Sequence, residues 1–316
     1  MPLRIVFCGT PAFGLPALEA LLKNPQFSVE AVVTQPDRPR GRGQQRAESP
    51  IKEAAVKVGI PVHQPEKIRA GATAEWLRQI APDAVVIIAY GQIISRELLE
   101  IPRLGWINLH GSLLPKYRGA APVQRAVLAG EQKTGLTTMR IDAGLDTGPI
   151  LEQREMEIRP DETAAELMAR MSEIGAPMIV EILTRLERGE IASTPQDNSQ
   201  ARYAPPIKKE EGLIDWGLTA AEIYNRIRAF DPWPGTYTRF RGRLCHIWGR
   251  PAQNSAVPAK AECGAIRQQG QTVLVACGQN TWLELESVRP EGRKRVTPME
   301  FANGARLTND ERFTSQ

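Results

Sequence analysis

Apolar residues along the chain come in short bursts with two periodicities. Leu3 to Phe7 is mostly apolar and is cut short by Cys8-Gly-Thr-Pro11, after which Leu15, Leu18, Leu21 and Leu22 recur at helical spacing. The pattern predicts strand, turn and helix. It repeats with a strand at Val29 to Val33, a helix at Pro50 to Val58, a helix around Glu75 to Ile80 and a fully apolar strand at Ala84 to Ala89. A helix at Val123 to Ala129, a strand at Thr137 to Ile141 and a long amphipathic helix from Thr163 to Arg188, stopped by Gly189, complete the alternation. Strands alternating with helices predict an open parallel α/β sheet.

The texture then changes. Ile191 to Ile207 has no periodicity and reads as a linker. A helix is expected near Ala220 to Ala229, followed by short strand-like segments at Thr236–Phe240, Leu244–Trp248, Thr272–Ala276 and Trp282–Leu285, split by Gly-containing turns. These predict a small β-barrel. The expected division is a catalytic domain over 1–190, a linker over 191–208 and a barrel domain over 209–316.

Composition narrows the class. At 316 residues the chain exceeds the roughly 150 expected of one domain. Its 42% apolar and 24% charged residues exclude disorder throughout. No apolar run approaches the roughly 20 residues needed to span a bilayer, and the N-terminus has no secretory pattern. Four scattered cysteines and three histidines suggest neither a disulfide framework nor a metal site, so a reducing cytoplasm and no metal are expected. Net charge is +4, with 25 basic against 24 acidic residues through position 208 and 15 against 12 beyond it.

The turn Gly9-Thr-Pro-Ala-Phe-Gly14 fits neither the dinucleotide nor the phosphate-loop glycine template. It reads as a tight strand-to-helix turn or as a substrate-facing loop. The richest segment is Trp106 to Pro122. In an extended strand Asn108 and His110, two apart, project from one face, an arrangement suited to polarising a carbonyl. Asp142 and Asp146 lie in a Gly-rich loop after the next strand, where one could orient the histidine. Taken singly, the histidine also fits a satisfied core residue and the aspartates ordinary turn chemistry.

Together, Asn108-Leu-His-Gly-Ser-Leu-Leu-Pro-Lys-Tyr-Arg-Gly119 and Leu145-Asp-Thr-Gly148 resemble the active-site motifs of the folate-dependent formyltransferases. The resemblance implies catalysis by Asn108, His110 and Asp146, with Ser112, Leu113, Leu114 and Pro115 lining the site of the co-substrate 10-formyltetrahydrofolate. It also implies a Rossmann-like open parallel sheet followed by a smaller OB-like barrel.

Thr34 to Gln44, carrying Arg38, Arg40 and Arg42, is similar to the inserted loop of those family members whose acceptor is methionyl initiator tRNA. Lys209 to Trp216 and Arg228 to Thr236 resemble the start of the C-terminal domain of the same members. Six arginines against one aspartate between 226 and 250, interleaved with aromatic residues, suit an RNA-binding groove, and Lys294 and Arg295 add charge on a late turn. The expected partners are therefore initiator methionyl-tRNA and the folate donor, with no membrane or DNA, and the chain is expected to act as a monomer. Formylation of a UDP-amino sugar is the alternative.

Overall fold

The structure, a computed structural model, describes residues 1–40, 45–68, 71–253, 261–308 and 310–315. The apolar bursts become the buried strands of its first sheet. In chain order the strands of the first compact unit are β1 (Leu3–Gly9), β2 (Phe27–Val33), β3 (Arg38–Arg40), β4 (Gln45–Ala47), β5 (Val62–His63), β6 (Ala84–Ile88), β7 (Trp106–His110), β8 (Arg118–Gly119), β9 (Lys133–Arg140), β10 (Ile150–Glu157) and β11 (Tyr203–Ala204). Seven of them form one sheet in the order β10-β9-β7-β6-β1-β2-β5. β7, β6, β1, β2 and β5 are mutually parallel, as the βα alternation requires, whereas β9 and β10 run antiparallel at one edge.

The chain leaves β1 through a single tight turn, Ala12–Gly14, and enters α1 (Leu15–Lys23), which buries Ala17, Leu18 and Leu21. The further helices are α2 (Pro50–Lys57), α3 (Ala72–Ile80), α4 (Arg96–Leu99), α5 (Pro122–Leu128) and α6 (Ala164–Glu187). The Thr163 hydroxyl accepts the Glu166 N–H at 3.2 Å while the Glu166 carboxylate accepts the Thr163 N–H at 2.9 Å, a reciprocal cap that starts α6. The aperiodic stretch after α6 is laid back along this unit. Ile150 and Thr194 exchange backbone hydrogen bonds of 2.8 Å, and β11 pairs in parallel with β8.

The second compact unit joins residues 123–132 and 158–166 to residues 206–316. It holds α7 (Ala220–Phe230), β12 (Tyr237–Phe240), β13 (Arg243–Pro251), β14 (Ile266–Gln269), β15 (Thr272–Ala276), β16 (Trp282–Pro290), α8 (Pro298–Ala305) and β17 (Phe313–Thr314). The six strands pair antiparallel in the order β14-β15-β16-β13-β12-β17, and a bridge between Ala265 and Arg312 joins the two ends into a barrel. Its core includes Trp216, Ile223, Ile247, Val275, Leu283 and Phe313. No helix among the described residues is long and apolar enough to cross a membrane.

Inside this unit the Arg125 guanidinium donates to both Glu211 carboxylate oxygens at 2.6 and 2.9 Å. That bidentate pair holds the Glu211 carboxyl below the usual carboxylate range, against the partial burial that pushes it up. A depressed carboxyl stabilises the fold above the unfolded-state pKa of about 4.3, and the contribution is lost as pH falls through the lower folded value. Glu211→Ala is expected to cost about 1–2 kcal/mol at neutral pH. Denaturant titrations of variant and wild type should converge in acid; a gap that stays constant down to pH of about 3 would refute the pairing.

Candidate active site

The carboxyl end of β7 carries the polar pair. Asn108 and His110 sit two residues apart in register with Met139 and Thr137 of β9, and Asn108 also faces Ile87 of β6. Both are nearly buried, with Asn108 9% and His110 6% exposed. The Asn108 carboxamide makes no hydrogen bond to any described residue. Its donors are therefore free for a substrate oxygen.

His110 is held at one ring nitrogen and faces a carboxylate with the other. Nε2 lies 2.9 Å from the Tyr117 carbonyl oxygen. A carbonyl only accepts, which assigns the proton to Nε2 and leaves Nδ1 as the acceptor of the neutral ring. Nδ1 faces Asp146 Oδ2 across 3.7 Å. That gap is too long for a direct hydrogen bond.

Tyr117 and Asp146 are both non-glycine residues in the left-handed region, with φ of 62° and 52°. Each such conformation costs of order 1 kcal/mol and persists only where neighbours impose it. Here the Gly119 N–H donates to Asp146 Oδ2 at 2.8 Å, anchoring the carboxylate beside the ring. Asp142 does something different. Its Oδ1 accepts the Gly144 N–H at 3.0 Å and the Thr147 hydroxyl at 2.7 Å, closing the turn from which Asp146 projects. Of the two aspartates in the motif, only Asp146 reaches His110.

The Ser112–Pro115 loop adjoins this strand end, with its polar groups turned inward. Ser112 is fully buried and its hydroxyl donates to the Lys116 carbonyl at 2.6 Å. Thr137 Oγ1 accepts the Leu114 N–H at 3.1 Å and donates to the Ser112 carbonyl at 2.6 Å, while Gln153 Nε2 donates to the Leu114 carbonyl at 2.8 Å. Leu114 is 3% exposed and Leu113 half-buried. The loop thus presents shape and apolar surface, with the Leu114 N–H and the Ser112 and Leu114 carbonyls bonded to side chains of β9 and β10. Sequence reasoning missed Thr137 and Gln153, and with them Gln196; a buried polar side chain on a strand flanking the site was the available signal for Thr137.

The predicted RNA-contacting residues fall in both compact units. Arg38 is exposed at the start of the β3–β4 hairpin, Arg40 ends β3, and Arg42 lies outside the described residues. Lys294 is exposed. Arg295 stacks its guanidinium 4.0 Å over the Trp248 ring and donates to the Ser287 hydroxyl at 2.6 Å.

The basic, aromatic run between 226 and 250 needs correction as a groove. Arg228 is 7% exposed and donates to the Glu162 carbonyl at 3.1 Å and to Asn225 Oδ1 at 2.6 Å. Arg226 binds the Glu211 carbonyl, Arg241 pairs with Glu311 and Arg250 with Glu286. Phe230 is fully buried, and Phe240 packs edge-on against Phe301 at 5.1 Å. Charge in this run serves mainly to satisfy local carboxylates and carbonyls, because interleaved core positions pull the chain inward. Among the described residues no group of three His, Cys, Asp or Glu side chains is placed to hold a metal ion.

Residues 3–183 match the family described as formyl transferase, and residues 206–306 match its C-terminal domain. The methionyl-tRNA formyltransferase of Solibacter usitatus is 50% identical over 312 residues, 98% of each chain. That of Geobacter metallireducens is 45% identical over 311 residues, 96% of each chain. The N-formyltransferase from Helicobacter canadensis, solved in complex with folinic acid and dTDP-3-aminofucose, is 20% identical and superposes with a TM-score of 0.66 over 90% of this chain and 99% of that one. It shares the fold. With both domain models matched and half of all positions identical to a relative over nearly the full length, the chain belongs to the methionyl-tRNA formyltransferase family.

Proposed function

We infer that this chain transfers a formyl group from 10-formyltetrahydrofolate to the α-amine of methionine esterified to initiator tRNA. The observation that carries the reading is the placement of Asn108 and His110 two residues apart at the carboxyl end of β7, with Asp146 Oδ2, held by the Gly119 N–H, 3.7 Å from His110 Nδ1. The attacking α-amine has an ordinary pKa of about 8, so a usable fraction is neutral at physiological pH. The harder problem is the oxygen of the tetrahedral adduct.

When the amine nitrogen bonds to the formyl carbon, negative charge gathers on that oxygen, and the Asn108 carboxamide donates to it. The proton lost by the amine passes through His110 Nδ1 and water to the leaving folate nitrogen as its bond to the formyl carbon breaks. Held on Nε2 by Tyr117 and facing Asp146 on the other side, the ring keeps Nδ1 aimed at the reacting centre. The Ser112–Pro115 loop lines the donor site through its apolar side chains.

Catalysis resides in residues 1–190, joined through 191–208 to a tRNA-binding barrel at 209–316, and the enzyme works as a cytoplasmic monomer. Arg38, Arg40, Arg42, Lys294 and Arg295 contact the tRNA. Arg38→Ala and Arg42→Ala are each expected to raise KM for methionyl-tRNA with kcat little changed. Each should also reduce the slope of log KM against log salt by about 1. A salt slope identical to wild type would remove that arginine from the RNA contact.

The direct test offers 10-formyltetrahydrofolate with methionyl initiator tRNA and with a UDP-amino sugar in separate reactions. Formylation of the tRNA alone is expected. Formylation of the sugar alone would overturn the acceptor and keep the chemistry.

A further inference from the structure

Gln196 lies in the aperiodic stretch after α6, where every other residue from 192 to 200 is exposed and it alone is half-buried. Its carboxamide is used at both ends. Oε1 accepts two hydrogen bonds from Arg118, from Nε at 3.0 Å and Nη2 at 2.8 Å. Nε2 donates to the Asp146 carbonyl at 2.9 Å and to the Gly148 carbonyl at 2.7 Å. Arg118 also reaches Asn198 Oδ1 at 2.8 Å.

These bonds converge on the catalytic aspartate. Arg118 precedes Gly119, whose N–H holds the Asp146 carboxylate, and follows Tyr117, whose carbonyl holds His110. One carboxamide thus ties the backbone of the Asp146 turn to the segment that fixes both ionisable partners. Asp146 sits at φ 52°, a conformation its own sequence does not favour, so the distance between its carboxylate and Nδ1 depends on what restrains its carbonyl.

We propose that Gln196 is a positioning residue for formyl transfer, setting the approach of Asp146 to His110 from a segment outside the catalytic motifs. The proposal rests on the functional reading above. Gln196→Glu isolates the effect: it keeps an acceptor for Arg118 but sets an oxygen against two carbonyls where a donor stood. Gln196→Ala and Gln196→Glu are each expected to lower kcat about tenfold or more, with KM for tRNA and for the folate donor within about twofold of wild type.

A general loss of structure would cost the same in any background. A positioning role would not, so in an Asp146→Ala background the same substitutions should change kcat less than about twofold. Equal losses in both backgrounds, or wild-type kcat in Gln196→Glu, would overturn the proposal. A readout independent of turnover is amide exchange: the Gly119 N–H should exchange at least about tenfold faster in Gln196→Glu, with the amides of β7 unchanged. Wild-type exchange at Gly119 would also overturn it. Failure of the wild-type protein to formylate methionyl-tRNA would instead reject the functional reading, and the exchange experiment would still decide the role of Gln196.

Discussion

Asn108→Ala lowers kcat for formyl transfer at least about 100-fold while leaving stability and tRNA binding near wild type. The carboxamide donates to no described residue, so its removal leaves no protein group unpaired. It also stands on a strand buried between two neighbours, where a smaller side chain leaves the backbone register unchanged. All of the loss should therefore appear in the step where charge develops on the formyl oxygen.

His110→Ala and Asp146→Ala should fall by a similar factor, with one difference. Each removes a partner from the frame, the first from the Tyr117 carbonyl and the second from the Gly119 N–H, so some loss of stability accompanies them. Single-turnover formylation with saturating tRNA separates the two effects. Turnover of Asn108→Ala within about threefold of wild type would remove it from the oxyanion site.

Gly148→Ala is the second substitution with a large expected effect. A Cβ at this position would overlap the Arg140 carbonyl oxygen and crowd the Asp142 N–H, both main-chain atoms that cannot rotate away. The turn from Asp142 to Gly148 would have to open, and its Asp146 carbonyl would lose the geometry that Gln196 requires. Overpacking of this kind costs about 2 kcal/mol, corresponding to a fall in Tm of about 4–8 °C for a unit of this size. The kcat should fall at least about tenfold as well, since Asp146 moves with the turn. A variant with wild-type Tm and kcat would mean that the turn accepts a methyl group without moving Asp146.

The parts of this fold that depend on burial were plain from the residues. β1, β6 and β7 lie in the interior of the sheet, so nearly every position is apolar, and an uninterrupted run such as Ala84 to Ile88 admits little else. The Asn108 and His110 pair was visible for the same reason, as polar residues at period two in a strand otherwise closed to water. β10 escaped notice. Ile150 to Glu157 is an edge strand with no fully buried position, and its Glu, Gln and Arg residues carry no apolar alternation.

The antiparallel direction of β9 was also invisible, because side-chain pattern does not distinguish a parallel from an antiparallel neighbour. Gln196 illustrates a deeper reason. It acts on the carbonyls of residues 146 and 148, and a contact to main chain leaves no complementary side chain to be found in the sequence. The arginines between 226 and 250 failed in the opposite sense: clustered charge suggested a partner, and the folded chain supplies most of the partners itself.

The pairing of β11 with β8 has a bearing on how the enzyme comes into being on the ribosome. The last strand of the large sheet ends at Glu157, so that sheet can be complete before the 24-residue helix α6 has been made. β8, in contrast, waits for Tyr203 and Ala204, and the Asp146 turn waits for Gln196. A nascent chain that has exposed the whole α/β sheet therefore still lacks the partners of β8 and of the Asp146 turn. These contacts form only when residues from the far side of α6 leave the exit tunnel and return to strands synthesised some 50 to 85 residues earlier.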